Sequence, residues 1–425
     1  MMAWTPQRAY RDLLIAGSEA ITKVEMAGFR YNVEKAADLY DFELSPEMKK
    51  LTEEMRDQID NPLFNPKSNP QVQRLYYDSW RIKHEMQQRP DKKRSADEAA
   101  LKEINAGRFT CKNPLHRGEI QQFTKILMRY RKIQKQASTY IVGLIEKAVN
   151  DPDGRVYTDL LLHGTTSGRL SSRDPNLQNV TRVAEDLPSI RGLFEASPGR
   201  LVVQADFSQA ELRCIAQFSQ DPILLDIYMN DKDLHSMTAE RFYGPKFTKA
   251  NRDNSKNMNF GMFYRQSAAT FQEKHDIPEK EAQKYIDWAK ETFPTVWEWE
   301  KTIEVEIRSK GVLVSPFGRK RRFHLLTPEN KFAVFREGIN FFPQSTASDF
   351  TLRSLILLSR QIDWSKASLV LTVHDSILAD VEESYVLDYS TTCQQIMESR
   401  PKEDLGWDIP FKVDISTGET WGDCK

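Results

Sequence analysis

Apolar residues recur at helical spacing over two long stretches of the chain. Residues 9–60 follow this spacing, with Ile15 and Ile21 as examples, and the pattern returns over residues 118–149. Both stretches are therefore predicted to be mostly helical.

A different pattern begins near residue 200, where apolar runs rich in β-branched residues predict strands. Leu201–Val203 is typical of a buried strand. A helix is predicted to follow over residues 208–218, because Ser208 and Glu211 have the spacing of a capping box. This part of the chain is therefore predicted to run strand, helix, strand.

Two aspartates lie where apolar runs end. Asp206 follows the first strand, and Asp375 lies in the turn of a β-hairpin predicted over Ser368–Val381. Either aspartate alone is more often the cap of a turn or helix. Together they suit Mg²⁺, which prefers hard oxygen ligands and takes one or two carboxylates plus phosphate oxygens. The pair is consistent with two-metal phosphoryl or nucleotidyl transfer.

The most specific pattern lies in residues 233–310, which predict helices joined by polar linkers. One of these helices is predicted from Lys249 to Phe271. Two cations and two aromatic residues recur along it at steps of four: Arg252, Lys256, Phe260 and Tyr264. Residues at this spacing share one helix face. The cations lie toward the helix N-terminus, where anions are favoured, and the aromatic rings follow, so the face suits a nucleoside triphosphate.

Three polar segments remain open to more than one interpretation. Cations share one face of the helix over residues 118–149, and this face is either solvated or follows nucleic-acid phosphates: Lys125, Arg129, Lys132 and Lys135. The basic run Arg319–Arg322 is either a solvated turn or a DNA-facing patch. The charged segment Arg89–Ser95 predicts an exposed loop.

Composition excludes few classes of protein function. The 425 residues allow two or three domains, and the net charge of −1 is neutral on nucleic-acid binding. The four cysteines show neither a metal-binding spacing nor a disulfide framework. Neither a membrane-spanning run nor a signal peptide is evident, so a cytoplasmic protein without a membrane partner is expected.

Seven segments, in the correct order, resemble the family A DNA polymerases of the DNA polymerase I type. They are Glu25–Tyr31, Phe64–Val72, Lys93–Glu98, Arg131–Tyr140, Ser167–Asn179, Asp206–Arg213 and Ile415–Trp421. The resemblance implies an α+β right-hand fold with an antiparallel-sheet palm, helical fingers and a helical thumb. It divides the chain into an N-terminal segment beside the palm (1–44), thumb (45–148), first palm part (149–215), fingers (216–340) and second palm part (341–425).

The resemblance also implies roles for individual residues. Asp206 and Asp375 would hold two Mg²⁺ ions, which Mn²⁺ could replace, and Lys256 would join them as a catalytic residue. The dNTP would be bound by Arg252, Lys256, Phe260, Tyr264, His235, Glu211 and Gln209. Glu211 would also exclude ribonucleotides by crowding the 2′ position of the sugar, a role compatible with helix capping. The primer–template DNA would be contacted by Arg169, Asn176, Gln178, Arg336, Asn340, Gln344 and His374.

Three positions depart from the family pattern. Ser376 stands where a second carboxylate usually follows Asp375, Phe207 replaces a common tyrosine, and Arg265 replaces the usual glycine after Tyr264. The triplet His374–Ser376 is what single-subunit phage-type RNA polymerases carry, which makes them the alternative. Against this alternative, Glu211 and Phe260 are the residues that DNA polymerases carry at positions where the two groups differ.

The resemblance predicts a DNA-directed DNA polymerase that extends a primer 3′-hydroxyl with dNTPs. The chain begins near the start of the family's polymerase domain, so no intrinsic exonuclease activity is expected. A separate exonuclease chain or other replisome proteins would then be partners. The compact form favours a phage origin, with the bacterial host cytoplasm as its location. A catalytically weakened DNA-binding replisome subunit is the alternative outside enzymes, supported by Ser376 and Arg265 alone.

Overall fold

The structure is a computed structural model that describes residues 4–84, 94–180, 188–275 and 277–424. Most of the predicted loop Arg89–Ser95 lies outside these ranges. The chain forms two compact units. The first comprises residues 1–29, 157–179 and 196–425, and the second comprises residues 30–156 and 180–195.

The strands of the described residues are, in chain order, β1 (Phe29–Arg30), β2 (Arg155–Val156), β3 (Asp159–Leu161), β4 (Ser171–Arg173), β5 (Arg200–Ser208), β6 (Val312–Val314), β7 (Lys320–Arg322), β8 (Ala367–Val373), β9 (Ser376–Glu382) and β10 (Lys412–Gly418). Four of them form an antiparallel sheet in the order β10-β5-β9-β8. The predicted strand at Leu201–Val203 lies within β5, and the predicted hairpin is β8 and β9.

The α-helices of the same residues are α1 (Pro6–Ala9), α2 (Ala16–Ala27), α3 (Val33–Asp38), α4 (Ser45–Gln58), α5 (Asn69–Gln73), α6 (Glu98–Asn105), α7 (Arg117–Lys135), α8 (Gly143–Ala148), α9 (Ala210–Ser219), α10 (Pro222–Met229), α11 (Leu234–Tyr243), α12 (Lys249–Phe263), α13 (Ala268–His275), α14 (Glu279–Thr292), α15 (Pro294–Lys310), α16 (Lys331–Gln361) and α17 (Val386–Leu405). Four π-helical segments extend some of them: Tyr10–Ile15, Leu39–Leu44, Arg74–Ser79 and Gln136–Val142. Short 3₁₀ turns lie at Pro114–His116, Leu177–Asn179, Ile190–Leu193 and Glu383–Tyr385.

The core of the first unit forms around the four-stranded sheet. The middle of β5 is buried because β10 and β9 pair with its two edges, while α16, α9, α17 and α2 pack in the same unit. Val203, Ala205 and Phe207 of this strand join one apolar cluster with residues of those helices. Burial of apolar surface on this scale supplies the main driving force for folding. The polar residues at the strand ends are therefore held by a well-packed apolar core.

The second unit is helical over most of its length, as the periodicity predicts. Tyr76, Trp80 and Phe123 form an aromatic cluster where α7 packs in this unit with α4 and α6, and the Phe123 ring meets the other two edge to face. From α7 the helix continues through the π-helical segment into α8, so the predicted helix over residues 118–149 is present with one π-helical interruption.

Two local predictions differ from the structure. The capping box at Ser208 and Glu211 was wrong, since Ser208 pairs with Lys412 as the last residue of β5. The helix α9 begins at Ala210, and Gln209 precedes it with a left-handed φ of 55° and without a side-chain cap. Sheet pairing, a tertiary interaction, thus outweighs the local capping signal.

The helix predicted from Lys249 to Phe271 is two helices. The first, α12, ends at Phe263, and Arg265 has a φ of 50°, which turns the chain before α13 begins at Ala268. Tyr264 is consequently the C-cap of α12 and not part of its interior.

Candidate active site

The two aspartates converge at one end of the central sheet. Asp206 lies near the end of β5, and Ser376, the residue after Asp375, is its partner in the β5–β9 register. The backbone N–H of Phe207 donates a hydrogen bond to the carbonyl oxygen of Asp375 at 3.3 Å. Because neighbouring strands of a sheet lie about 5 Å apart, this register brings both aspartates to one small region.

Hydrogen bonds hold the turn that carries Asp375 in a fixed conformation. The hydroxyl of Ser376 donates to the carbonyl oxygen of Val373 at 2.9 Å, and that of Thr372 donates to the carbonyl oxygen of Ser376 at 3.0 Å. From another part of the unit, the Nε2 of Gln178 donates to the carbonyl oxygen of Thr372 at 2.8 Å. Ser376, which replaces the usual carboxylate, therefore uses its side chain to brace the turn.

Asp375 is half-buried, and the protein around its carboxyl group changes its acidity. Burial raises the pKa of its carboxyl group, while a backbone hydrogen bond and the positive charges of His374, Arg169 and Lys256 act in the opposite direction. The structure thus brings two cations from distant segments, Arg169 and Lys256, within electrostatic range of this carboxylate. A further cation would also be favoured here, because burial penalises the uncompensated negative charge.

Glu211 adds a third carboxyl group near this region. Its pKa is raised to about 7, chiefly by burial and also by the charge of Asp375, against the lowering effect of Arg169. Arg169 forms an ion pair with Glu211, whose side chain is only 11 % exposed. The carboxyl group therefore releases its proton at a higher pH than an exposed glutamate does. The ion pair also ties the loop that carries Arg169 to the first turn of α9.

Arg169 itself depends on a buried support that the sequence did not reveal. Arg319 donates from Nε to both carboxylate oxygens of Asp349, at 2.7 and 2.9 Å, and Asp349 is fully buried in α16. A Cβ at Gly168 would lie 2.8 Å from the Nε of Arg319, so this glycine permits the close approach. The hydroxyl of Ser348 also donates to the carbonyl oxygen of Gly168 at 3.0 Å. The sequence pointed to the basic run that begins at Arg319 and to the segment that contains Gly168, but not to Asp349 or Ser348.

The basic face of α12 is partly neutralised by an acid that sequence reasoning missed. The Nε of Arg252 donates to Asp233 at 2.8 Å. Asp233 also caps α11 by accepting from the backbone N–H of His235 at 3.1 Å, and it lies 3.5 Å from the amide of Gln209. The helix-start position of Asp233 was a signal for this cap. Lys256, by contrast, is exposed on the same helix.

His235 is a neutral, buried side chain. Its pKa is lowered to about 4, chiefly by burial and also by the charges of Arg252 and Lys256, against the raising effect of Asp233. Its Nδ1 lies 3.0 Å from the amide nitrogen of Asn259. Because an amide nitrogen donates, the imidazole proton resides on Nε2, which is buried and has no hydrogen-bond partner. His235 is thus a hydrogen-bond donor without a positive charge.

The predicted aromatic face is present but ends at a turn. The ring of Phe260 lies 6.0 Å from the His235 ring and 6.3 Å from the Tyr264 ring. Tyr264 is half-buried, and its hydroxyl is buried without a hydrogen-bond partner. The Phe260 ring therefore lies between the buried His235 ring and the Tyr264 ring at the C-terminus of α12.

The residues predicted to contact DNA lie at different depths. Asn176 is exposed, and its side-chain oxygen accepts from Ser172 and from the backbone of Asn179, whereas Gln178 is buried and braces the hairpin turn. Three others recur at steps of four on α16, with Arg336 exposed and the remaining two half-buried: Arg336, Asn340 and Gln344. His374 is exposed at the hairpin turn with a φ of 56°.

The basic run Arg319–Arg322 lines a groove of about 1060 Å³ in the first unit, together with His163, His324 and Glu337. Arg321 donates to Glu337 and to the hydroxyl of Thr166. Paired and exposed cations alternate along the run, because Lys320 and Arg322 are exposed. The run is therefore neither a fully solvated turn nor a uniformly free basic patch.

Among the residues that the structure describes, no group of three or more His, Cys, Asp or Glu side chains is arranged to hold a metal ion. No helix there is long and apolar enough to cross a bilayer.

Comparison with known proteins identifies relatives across almost the whole chain. The model of DNA polymerase family A matches residues 35–423. The thermostable DNA polymerase I of Thermus filiformis is 30% identical over 435 aligned positions, which cover all of this chain and 49% of that protein. DNA polymerase I of Lactococcus lactis subsp. cremoris is 34% identical over 70% of this chain and 34% of its own length. The chain thus spans about half or less of the length of these relatives.

A solved structure has the same fold. It is described as the POL domain of Pol1 from M. smegmatis in complex with DNA primer-template and dNTP. The TM-score is 0.84 at 23% sequence identity, over 97% of this chain and 70% of the other. The predicted α+β polymerase fold is thereby confirmed.

Proposed function

Because the chain belongs to DNA polymerase family A, we propose that it is a DNA-directed DNA polymerase that extends a primer with dNTPs. The observation that carries this proposal is the convergence of Asp206 and Asp375 at adjoining strand ends, within electrostatic range of Lys256. This places hard oxygen ligands beside a cation from α12. Such a combination suits a reaction in which a polyphosphate is bound and cleaved.

Asp206 and Asp375 would hold two divalent cations, Mg²⁺ or Mn²⁺. The fit rests on the half-buried carboxylate of Asp375, whose raised pKa reflects partial desolvation of a negative charge that a bound cation would stabilise. When bound, such ions activate the attacking oxygen and stabilise charge on the leaving oxygen. The role of the protein is to fix the two carboxylates, which β5 and the braced hairpin turn accomplish.

The dNTP side of the proposed site lies on α12 and α11. Lys256 and Arg252 would bind the triphosphate through charge, and His235 would donate its unpartnered Nε2–H to a phosphate oxygen without adding charge. Phe260 and Tyr264 would pack against the base. These contacts orient the α-phosphorus toward the primer 3′-oxygen, so that a new P–O bond forms as pyrophosphate leaves.

Glu211 and Gln209 would border the sugar of the incoming nucleotide. Glu211 is held in place by Arg169 and by its position in the first turn of α9, so its side chain cannot easily move aside for a 2′-hydroxyl. The DNA side would comprise Arg169, Asn176, Gln178, Arg336, Asn340, Gln344 and His374.

Primer extension with Mg²⁺ on a DNA primer–template tests this function. We expect extension by the wild type with dNTPs and little with rNTPs, because Glu211 excludes the 2′-hydroxyl. Asp206→Asn and Asp375→Asn should each lower the extension rate by at least about 10²-fold, the usual cost of removing a preorganised electrostatic group. DNA binding should be retained in both variants.

Asp388→Asn is the matched control, because it neutralises an exposed carboxylate on α17 of the same unit. Extension by rNTPs in preference to dNTPs would favour a polymerase of the RNA type. Normal DNA binding without extension by either nucleotide set would favour a non-catalytic subunit. Full activity of Asp206→Asn would refute the assignment of the carboxylates.

A further inference from the structure

The helix α12 ends in a backbone motif that normally requires glycine. The N–H of Gln266 donates to the carbonyl oxygen of Gly261 at 2.8 Å, and the N–H of Arg265 donates to that of Met262 at 3.0 Å. These two bonds define a Schellman motif with Tyr264 as the C-cap. Arg265 occupies the left-handed position with a φ of 50°, where a side chain costs conformational energy that glycine avoids.

The side chain of Arg265 reaches from this turn to α15. Its Nε donates to Glu300 at 2.5 Å, and its Nη1 donates to Glu304. The two glutamates are four residues apart, so they lie on the same face of α15. Together these three residues link the end of the proposed nucleotide-binding helix to a second helix.

The ion pair between Arg265 and Glu300 lies in a buried environment. The side chain of Glu300 is fully buried, and its Oε1 has no hydrogen-bond partner. A buried carboxylate needs a cation close by, and a fixed guanidinium supplies one with defined geometry. Arg265 and Glu300 are therefore mutually dependent, and together they restrain the backbone on which Arg265 lies.

The restrained backbone is directly adjacent to Tyr264. The hydroxyl of this residue is buried without a partner, so no hydrogen bond at its tip fixes the ring. The orientation of the ring then depends on packing and on the turn formed by residues 264–266. A restraint on Arg265 thus becomes a restraint on Tyr264.

We propose that Arg265, held by Glu300 and Glu304, is a positioning residue that fixes Tyr264 and thereby sharpens the selection of the base that pairs with the template. This inference rests on the proposed function and adds a specificity determinant to it. Arg265 acts through Tyr264 and does not contact the reacting atoms.

The test is the ratio of kcat/KM for the paired dNTP to kcat/KM for a mispaired dNTP. We expect Arg265→Gly to lower this ratio about tenfold, since small misplacements at a reacting centre have effects of this size or larger. The double variant Glu300→Gln/Glu304→Gln should lower it similarly while leaving residue 265 unchanged. Arg265→Lys should restore part of the ratio, because it keeps the charge but not the paired donors.

A double-mutant cycle separates positioning from general stabilisation. In a Tyr264→Ala background, Arg265→Gly should lower the ratio no further, because the residue through which it acts has gone. Arg81→Gly is the matched control: Arg81 is exposed, has the same φ of 50°, and should leave the ratio unchanged. The proposal would be overturned if Arg265→Gly lowered the kcat/KM ratio equally in the presence and absence of the Tyr264 ring. It would also be overturned if Arg265→Gly left the ratio unchanged.

Hydrogen exchange gives a readout that does not require catalysis. The amides of Arg265 and Gln266 should exchange faster in Glu300→Gln/Glu304→Gln than in the wild type, because the turn loses its link to α15. Unchanged exchange would refute the restraint itself. Failure of the proposed function would instead appear as an inactive wild type, so the two results are distinguishable.

Discussion

At the scale of single residues, Glu211 shows how two opposing influences set the state of a carboxyl group. Burial and the nearby charge of Asp375 raise its pKa to about 7, while the ion pair with Arg169 lowers it. Burial has the larger effect, so the folded protein binds the proton more tightly than the unfolded chain does. The consequence is a dependence of stability on pH.

We predict that the free energy of unfolding of the Glu211→Gln variant increases, relative to that of the wild type, as the pH rises. The pKa of Glu211 is raised on folding, so its contribution to stability is fully present below the ordinary value of 4.5 and is lost as the pH rises through about 7. Glutamine resembles the protonated form of Glu211, so its contribution to stability should not decrease as the pH rises. The expected relative gain between pH 5 and pH 8 is about 1–3 kcal/mol.

The measurement is the melting temperature of both proteins at pH 5 and pH 8. Other buried acids, such as Glu300 and Asp349, also have raised pKa values, but they are common to both proteins and cancel in the difference. A difference between variant and wild type that is the same at both pH values would show that Glu211 does not titrate in this range.

At the scale of elements, the hairpin of β8 and β9 combines a rigid turn with a strained residue. Val373 and Ser376 are paired across the turn, so His374 and Asp375 form a two-residue loop. His374 has a φ of 56°, although a residue with a Cβ is disfavoured there. Strain of this kind persists where the surrounding structure enforces it and often coincides with function.

We predict that His374→Gly stabilises the fold but weakens primer extension. Glycine relieves the backbone strain, and after its own entropy cost the net gain should be about 0.5 kcal/mol. The variant also loses the imidazole that is proposed to contact DNA, so the KM for primer–template should rise.

His374→Ala serves as the comparison, because it removes the ring but keeps the Cβ and hence the strain. Thermal melts should then rank the glycine variant above the alanine variant, while both show the same defect in extension. If the histidine protein melts above the glycine variant and both extend primers equally, the turn is neither strained nor involved in DNA binding.

At the scale of the whole molecule, charge is distributed unevenly although it nearly cancels. The net charge is −1, yet basic side chains lie exposed along α7: Lys125, Arg129, Lys132 and Lys135. Arg129 is partly neutralised by Glu47 at 3.0 Å. The three lysines are therefore the stronger candidates for phosphate contacts.

We predict that Lys125→Ala/Lys132→Ala/Lys135→Ala reduces the salt dependence of primer–template binding. Each phosphate contact that is lost should lower the slope of log K against log salt concentration by about 0.9. Fluorescence anisotropy over a series of NaCl concentrations measures this slope. The same number of exposed lysines on α14 provides the control: Lys280, Lys284 and Lys290. Equal slopes in the wild type and the α7 variant would show that this face is only solvated.

The sequence by itself determined the family, the fold class and the main elements of the central sheet. The strand at Leu201–Val203 and the hairpin over Ser368–Val381 were predictable, because apolar β-branched runs bounded by polar turns depend on local pattern. The common face of Arg252, Lys256 and Phe260 was also predictable, since helical periodicity alone defines it. The roles assigned to these side chains stay predictions.

Only the tertiary structure decided features that depend on residues far apart in the chain. The capping box at Ser208 failed because pairing with Lys412 keeps Ser208 in a strand, and no local signal contains that partner. The acidity of Glu211 likewise depends on burial and on charges from distant segments. Arg265 appeared in the sequence only as a departure from the family pattern, and its contact with Glu300 became visible only in the fold. Local periodicity is encoded by neighbours in the chain, whereas burial, charge pairing and strand register arise from contacts between distant segments.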